Sequence, residues 1–391
     1  MRTAAAHRVR TGLGCGSAGL LTVVLVGCGG GSSRPAVAVQ PVAAALSPAS
    51  SPSPASSLLP APDPAAPGPW SVAVRSLSVP GRAGSPPLTV DVWYPTAATS
   101  GAKAAYGLAG VSYRADTAYD ATPPVAGRRF PLVVFSHGYG GIRFQSSFLT
   151  ELMASHGFVV AAADHPGSTV VDEALGSADS LDVAASHRPA DLEALATGVE
   201  RDPATAATID PAKVAVVGHS LGGTAALAVA GHAAGTGPAL AHPSAVVALA
   251  PASEVLSNDA LRADTVPTLL MVGSKDVLTP PDLSVKRPMA LVAGRPLASV
   301  LLDRATHYSF TDLCRFAQVL RASSLPAALT QQVTVNEGPT CGPSALPIAR
   351  AHALIGGYTV AFLLAHVAGD SRYATPTGGL PDALLAVAPP R

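Results

Sequence analysis

Apolar and polar positions along the chain follow two rhythms. Residues 71–79 and 88–94 alternate between the two kinds, as strands with one face in water do. Residues 132–135, 158–163, 214–217, 245–250, 269–272 and 300–302 are nearly continuous apolar runs. Strands buried on both faces read this way, and helical periodicity fills most of the intervals between them. The succession predicts an α/β architecture: a mostly parallel central sheet, N-terminal antiparallel strands, and helices on both faces. Three stretches break the rhythm, at about 96–129, 165–186 and 322–345. The first carries Tyr106, Tyr113 and Tyr119, and the second begins directly after a strand end. Loops beyond the carboxyl ends of parallel strands are where such sheets bind ligands, so all three are candidate pocket walls. Plain surface insertions would fit them equally well.

The first 69 residues differ in kind from the rest. Residues 1–28 begin with Arg2, Arg8 and Arg10 and continue into an apolar core too short to span a membrane, the order of an export signal. The segment ends in Leu25-Val26-Gly27-Cys28, which resembles the bacterial lipoprotein lipobox. That resemblance implies lipidation of Cys28 and an exported, extracytoplasmic protein anchored to the cell envelope. An ordinary secretion signal containing a cysteine is the alternative. Residues 29–69 are dominated by Gly, Ser, Pro and Ala and are expected to form a disordered linker, because such composition buries too little apolar surface to offset its ordering entropy. The catalytic domain is expected over 70–368, with a flexible tail over 369–391.

With 25 basic and 25 acidic side chains the formal charge is zero, and no basic patch points to nucleic acid. In the body of the chain only Cys314 and Cys341 remain. Two cysteines in an exported domain suggest one disulfide, worth about 3 kcal/mol in the chain-entropy model. Neither C-x-x-C nor H-E-x-x-H spacing occurs, so no metal and no cofactor is expected.

The densest chemical signal is Gly218-His219-Ser220-Leu221-Gly222, between the apolar run 214–217 and the alanine-rich helical pattern after Thr224. A serine at a sharp strand-to-helix turn is a candidate nucleophile, because flanking glycines let the backbone double back and lift the hydroxyl clear of the sheet. Its base and the acid that orients the base should follow in the chain order Ser, Asp, His. Asp276 lies four residues after the run ending at Val272, and His307 lies on the loop after the next run. A surface or helix-capping role is the alternative for Asp276, with Asp303 and Asp259 as reserve acids. His219 is expected to pack under the turn. The glycine-rich loop Ser136-His137-Gly138-Tyr139-Gly140-Gly141 follows the first parallel strand, so the amides of Tyr139 and Leu221 are the candidate oxyanion donors.

Together with Asp164-His165-Pro166-Gly167, Arg188-Pro189-Ala190-Asp191 and His307-Tyr308-Ser309-Phe310, these motifs resemble α/β-hydrolases of the dienelactone hydrolase-like and platelet-activating factor acetylhydrolase-like group. Actinobacterial polyester hydrolases and cutinases are similar but more distant. The resemblance spans about 70–368 and implies a cofactor-independent serine esterase, with Ser220, Asp276 and His307 as triad, acting on a small-molecule or lipid ester; a monomer is expected. Position 220 is serine where dienelactone hydrolases carry cysteine, so their substrate does not carry over. Amide hydrolysis on the same triad and a non-catalytic surface binding protein are the alternatives.

Overall fold

A computed structural model describes residues 61–374 and 379–389. The expected signal segment, Cys28 and most of the expected linker lie outside the described residues. The strands are β1 Ser71–Val79, β2 Leu88–Thr96, β3 Lys103–Leu108, β4 Val111–Asp120, β5 Phe130–Ser136, β6 Val159–Ala163, β7 Ile209–His219, β8 Ala245–Leu249, β9 Thr268–Gly273, β10 Leu297–Leu302 and β11 Ala383–Val387. They form one sheet in the order β11-β10-β9-β8-β7-β5-β6-β2-β1-β4-β3. Strands β6, β5, β7, β8, β9 and β10 run parallel in its centre, while β2 joins β6 antiparallel and β11 joins β10 antiparallel.

The helices are α1 Ser147–Ser155, α2 Val170–Leu175, α3 Leu181–Arg201, α4 Leu221–Ala230, α5 Asn258–Ala263, α6 Arg287–Leu291, α7 Leu313–Leu320, α8 Ala327–Cys341 and α9 Ile348–Leu363. The central strands show why their sequences are apolar without alternation. Val133, Phe135, Ala215 and Val217 enter one core with Leu149 and Met153 of α1 and Leu354 and Ile355 of α9. Their neighbours Leu132, Val134, Val214 and Val216 enter the other, with Leu192 and Leu195 of α3 and Leu227 of α4. Each valine, leucine, isoleucine, methionine or phenylalanine among them contributes about 1.5–3 kcal/mol on burial. A one-residue register slip would exchange the two cores, so the carboxyl ends of the parallel strands, where the candidate residues lie, are held in fixed relative positions.

Three expectations from the sequence need revision. Residues 103–120 form a β-hairpin that extends the sheet edge, turning at Ala109 (φ 51°) and Gly110 (φ 84°). Two consecutive positive φ values give the mirror-image turn whose twist matches paired strands. The C-terminal segment contains β11, whose residues Ala383 to Val387 pair with Leu302 to Ala298. The described end of the expected linker packs on the domain: Gly68 N donates to Ser155 Oγ at 2.8 Å, and Tyr373 Oη donates to Pro62 O at 2.9 Å.

The hairpin is anchored by a buried carboxylate on α1. Glu151 Oε1 accepts from Tyr106 Oη at 2.8 Å, and Oε2 accepts from Thr117 N and Thr117 Oγ1, both at 2.6 Å, and from Ala118 N at 3.1 Å. Trp93 Nε1 donates to Tyr106 Oη at 2.7 Å. Removing the carboxylate would strand several buried donors, each costing about 1–3 kcal/mol. Glu151→Ala is therefore expected to lower stability by about 3 kcal/mol in urea unfolding. An unchanged midpoint would show that the hairpin is held by packing alone.

Candidate active site

Strand β7 enters α4 through a single residue, Ser220, at φ 56° and ψ −121°. A β-carbon on Gly218 would lie 2.2 Å from Gly222 O, and one on Gly222 would lie 2.0 Å from Ser136 O. Only glycine fits at either position. The strained turn is held by Ser220 N, which donates to Leu249 O at 2.8 Å on the neighbouring strand β8. Positive φ at a non-glycine residue persists only where the surroundings enforce it.

Asp276 and His307 occupy the loops after β9 and β10. His307 Nδ1 lies 2.8 Å from Asp276 Oδ2, and both side chains are buried. The other carboxylate oxygen accepts from Leu278 N at 3.0 Å and Thr279 N at 2.8 Å, so the acid is gripped by its own loop. The Thr279 hydroxyl lies 3.0 Å from Asp276 Oδ2 and 3.1 Å from Ala250 O. His307 and Ser220 line the same cavity. Among the described residues Ser220 Oγ makes no hydrogen bond; in ligand-free sites such contacts commonly close only around the substrate. The reserve acids lie elsewhere: Asp303 is at the surface beside Arg304, and Asp259 pairs with Arg262.

The loop 136–141 passes directly over the serine. A β-carbon on Gly138 would be 3.3 Å from Ser220 Cβ, and Tyr139 and Leu221 both line the cavity. The Leu221 amide is at the first position of α4, where backbone N–H groups lack intrahelical acceptors and the dipole favours negative charge. The loop is clamped from beneath by Arg188, whose Nη1 donates to Ser136 Oγ at 2.9 Å and His137 O at 2.5 Å. Its Nη2 donates to Gly138 O at 3.3 Å and Ser168 Oγ at 2.5 Å. Burial pulls the guanidinium down to about 9, opposed by Asp191, and leaves it cationic at neutral pH.

A second set of contacts ties this loop to the elbow. Gln145 Oε1 accepts from Gly138 N at 3.2 Å, and Gln145 Nε2 donates to His219 Nδ1 at 3.1 Å. Burial holds His219 well below the ordinary histidine range, with His307 adding to the effect. The imidazole is therefore neutral, and its Nε2–H donates to the backbone oxygen of His307 at 3.0 Å. Gln145, His219 and the His307 main chain thus form one relay behind the serine.

The cavity, about 370 Å³ in volume, draws on all three stretches that interrupt the sequence rhythm. The hairpin supplies Tyr106, Leu108 and Val111; the second stretch supplies Val170 and Leu181; the third supplies Leu325, Leu329 and Val333. Helices α7 and α8 form a cap, joined by a disulfide between Cys314 and Cys341 with Cα atoms 5.7 Å apart. Among the described residues, no group of three or more His, Cys, Asp or Glu side chains is placed to hold a metal ion.

The strand order, the strained serine turn and the positions of Asp276 and His307 at successive strand ends together decide the architecture. The fold is the α/β-hydrolase fold. Residues 116–275 match the chlorophyllase family model, a span that contains Ser220 and ends one residue before Asp276. Cutinase 1 of Thermobifida cellulosilytica is 29% identical over 189 residues, 48% of this chain and 63% of that protein. Cutinase est1 of Thermobifida alba is 27% identical over 188 residues, 48% of this chain and 56% of that protein. Platelet-activating factor acetylhydrolase of Cavia porcellus is 46% identical over 44 residues, 11% of this chain and 10% of that protein. The chain thus spans less than two thirds of the length of each of these relatives.

Gln145, Thr279 and Asp312 carried no signal in the sequence; Gln145 and Asp312 gain their meaning from partners distant along the chain, and Thr279 joins the nearby Asp276 to the distant Ala250. Asp312 precedes α7, and its Oδ2 accepts from Ser147 N at 2.5 Å and Ser147 Oγ at 2.7 Å. Burial nonetheless pushes its carboxyl up to about 7, against those opposing bonds. In the unfolded chain an aspartate titrates near about 4, so the folded state holds this proton more tightly. The stabilisation is full below the unfolded value and is lost as pH rises through 7. Asp312→Asn is expected to lessen the fall in thermal stability between pH 5 and 7.5 relative to the unsubstituted protein. Parallel stability profiles would mean that Asp312 is already ionised throughout.

Proposed function

We propose that this chain is a serine hydrolase that cleaves carboxylic esters. The observation that carries the proposal is the buried Asp276–His307 pair opening onto the same cavity as a serine held at positive φ. In the proposed reaction His307 Nε2 takes the Ser220 proton as Oγ attacks the ester carbonyl, and Asp276 holds the imidazole tautomer and stabilises the imidazolium. The Tyr139 and Leu221 amides receive the negative charge that develops on the carbonyl oxygen. His307 then protonates the departing alcohol, leaving an acyl group on Ser220. A water molecule, deprotonated by His307, attacks this acyl-enzyme and releases the carboxylic acid and free serine. Similarity to the cutinases and to the acetylhydrolase supports an ester as substrate.

The protein acts outside the cytoplasm in this proposal, tethered through a lipid on Cys28 or released. The Cys314–Cys341 disulfide supports an oxidising compartment, since such bonds persist mainly in exported proteins.

Hydrolysis of p-nitrophenyl acetate and butyrate by the full chain, compared with Ser220→Ala, tests the proposal. The substitution is expected to lower kcat by about 10⁴ or more, with the thermal unfolding profile retained. Equal rates in the two proteins would contradict it.

A further inference from the structure

The Thr279 hydroxyl touches both members of the buried Asp276–His307 pair. Its Oγ1 lies 3.1 Å from His307 Nδ1 and 3.0 Å from Asp276 Oδ2, beside the 2.8 Å contact that joins the two. A third neighbour, Ala250 O, lies 3.1 Å away. A hydroxyl has one proton to give and two lone pairs that accept. Ala250 O and the carboxylate oxygen of Asp276 only accept, so both draw the Thr279 proton away from the ring. His307 Nδ1 then faces a lone pair of Thr279 as well as an oxygen of Asp276. Two acceptors suit only a protonated Nδ1, and in the neutral imidazole that tautomer leaves Nε2 without a proton.

The surroundings place this hydroxyl firmly. Ala250, just past β8, sits at φ 47°, and its N donates to Met271 O at 2.7 Å. Positive φ at a non-glycine residue persists only where the structure around it enforces it, and here the carbonyl meets the loop after β9. The main chain of Thr279 is held separately: its N donates to Asp276 Oδ1 at 2.8 Å, and its O accepts from Ser284 Oγ at 3.0 Å. Ser284 Oγ also lies 2.7 Å from Pro251 O, which ties the two loops together. The loop therefore has supports that do not use the Thr279 hydroxyl.

We propose that Thr279 is a positioning residue for the base. Its hydroxyl donates to Ala250 O and accepts a share of the His307 Nδ1–H, holding the ring in the tautomer whose Nε2 takes the Ser220 proton. The same lone pair faces the imidazolium once that proton has moved, and a hydrogen bond from a charged ring is stronger than one from a neutral ring. The effect on rate rests on the ester-hydrolase function; the ring orientation does not.

The test compares the full chain with Thr279→Val, which removes the hydroxyl and keeps the shape, and with Thr279→Ser, which keeps the hydroxyl. On p-nitrophenyl acetate the valine variant is expected to lose about 10- to 100-fold in kcat with KM little changed, the range for one hydrogen bond to a charged group. The serine variant is expected to recover most of that loss. The low-field proton NMR signal of His307 Nδ1–H is expected to be sharp in the unsubstituted and serine proteins and broadened by faster exchange with water in the valine protein. A valine variant that keeps both kcat and the sharp signal, or a serine variant as slow as a folded valine one, would overturn the proposal. Nitrogen NMR of labelled histidine tests it without any substitution: a neutral His307 protonated on Nε2 in the unsubstituted protein would also overturn it.

The two claims fail separately. No ester hydrolysed by the unsubstituted protein, with the Nδ1–H signal still sensitive to Thr279→Val, would sustain the positioning role and remove the esterase function. Ester hydrolysis and a signal both indifferent to Thr279→Val would do the reverse.

Discussion

The turn from β7 into α4 is the constraint on which the rest of the site depends. The chain must reverse direction at one residue, and the close contacts of Gly218 with Gly222 and of Gly222 with Ser136 leave no space for a side chain. Those contacts press the elbow against the end of β5, which is also where the loop 136–141 begins. The nucleophile candidate and the amide-bearing loop are therefore brought together by a single steric fact. Because β8, β9 and β10 continue the parallel sheet in register, the loops carrying Asp276 and His307 emerge beside the same elbow.

Polar groups behind this surface hold it without competing for its protons. Arg188 stays charged although buried, with Asp191 opposing the effect of burial and oxygens of Ser136, His137 and Ser168 accepting its hydrogen bonds. His219 stays neutral for the opposite reason: burial disfavours its charged form, and neutrality lets it accept from Gln145 on one nitrogen and donate to the His307 backbone from the other. Buried polar groups tied by several hydrogen bonds make rigid supports. Loop, elbow and histidine turn share partners here, so a shift in one is transmitted to the others.

Much of this organisation could be read from neighbours in the chain. Continuous apolar runs marked the parallel strands because both faces of each strand are buried, and they placed Ser220, Asp276 and His307 beyond the ends of the strands now numbered β7, β9 and β10. The hairpin was missed although β4 alternates apolar and polar residues from Val111 to Asp116, because the turn begins at Ala109 instead of a residue that advertises positive φ. Strand β11 was missed because five residues of alanine, leucine and valine acquire strand character only by pairing with β10. Glu151 and Gln145 looked like ordinary polar positions on or before a helix. Their partners lie 34 and 74 residues away, at Thr117 and His219, and no local pattern records such contacts.

Covalent labelling with a fluorophosphonate, read by peptide mass spectrometry, tests the central claim most directly. The proposed activation of Ser220 by His307 predicts phosphonylation at Ser220 in the folded protein, and labelling slowed by orders of magnitude in His307→Ala. Absence of label on Ser220 in the folded chain, or labelling that is indifferent to His307, would contradict the account.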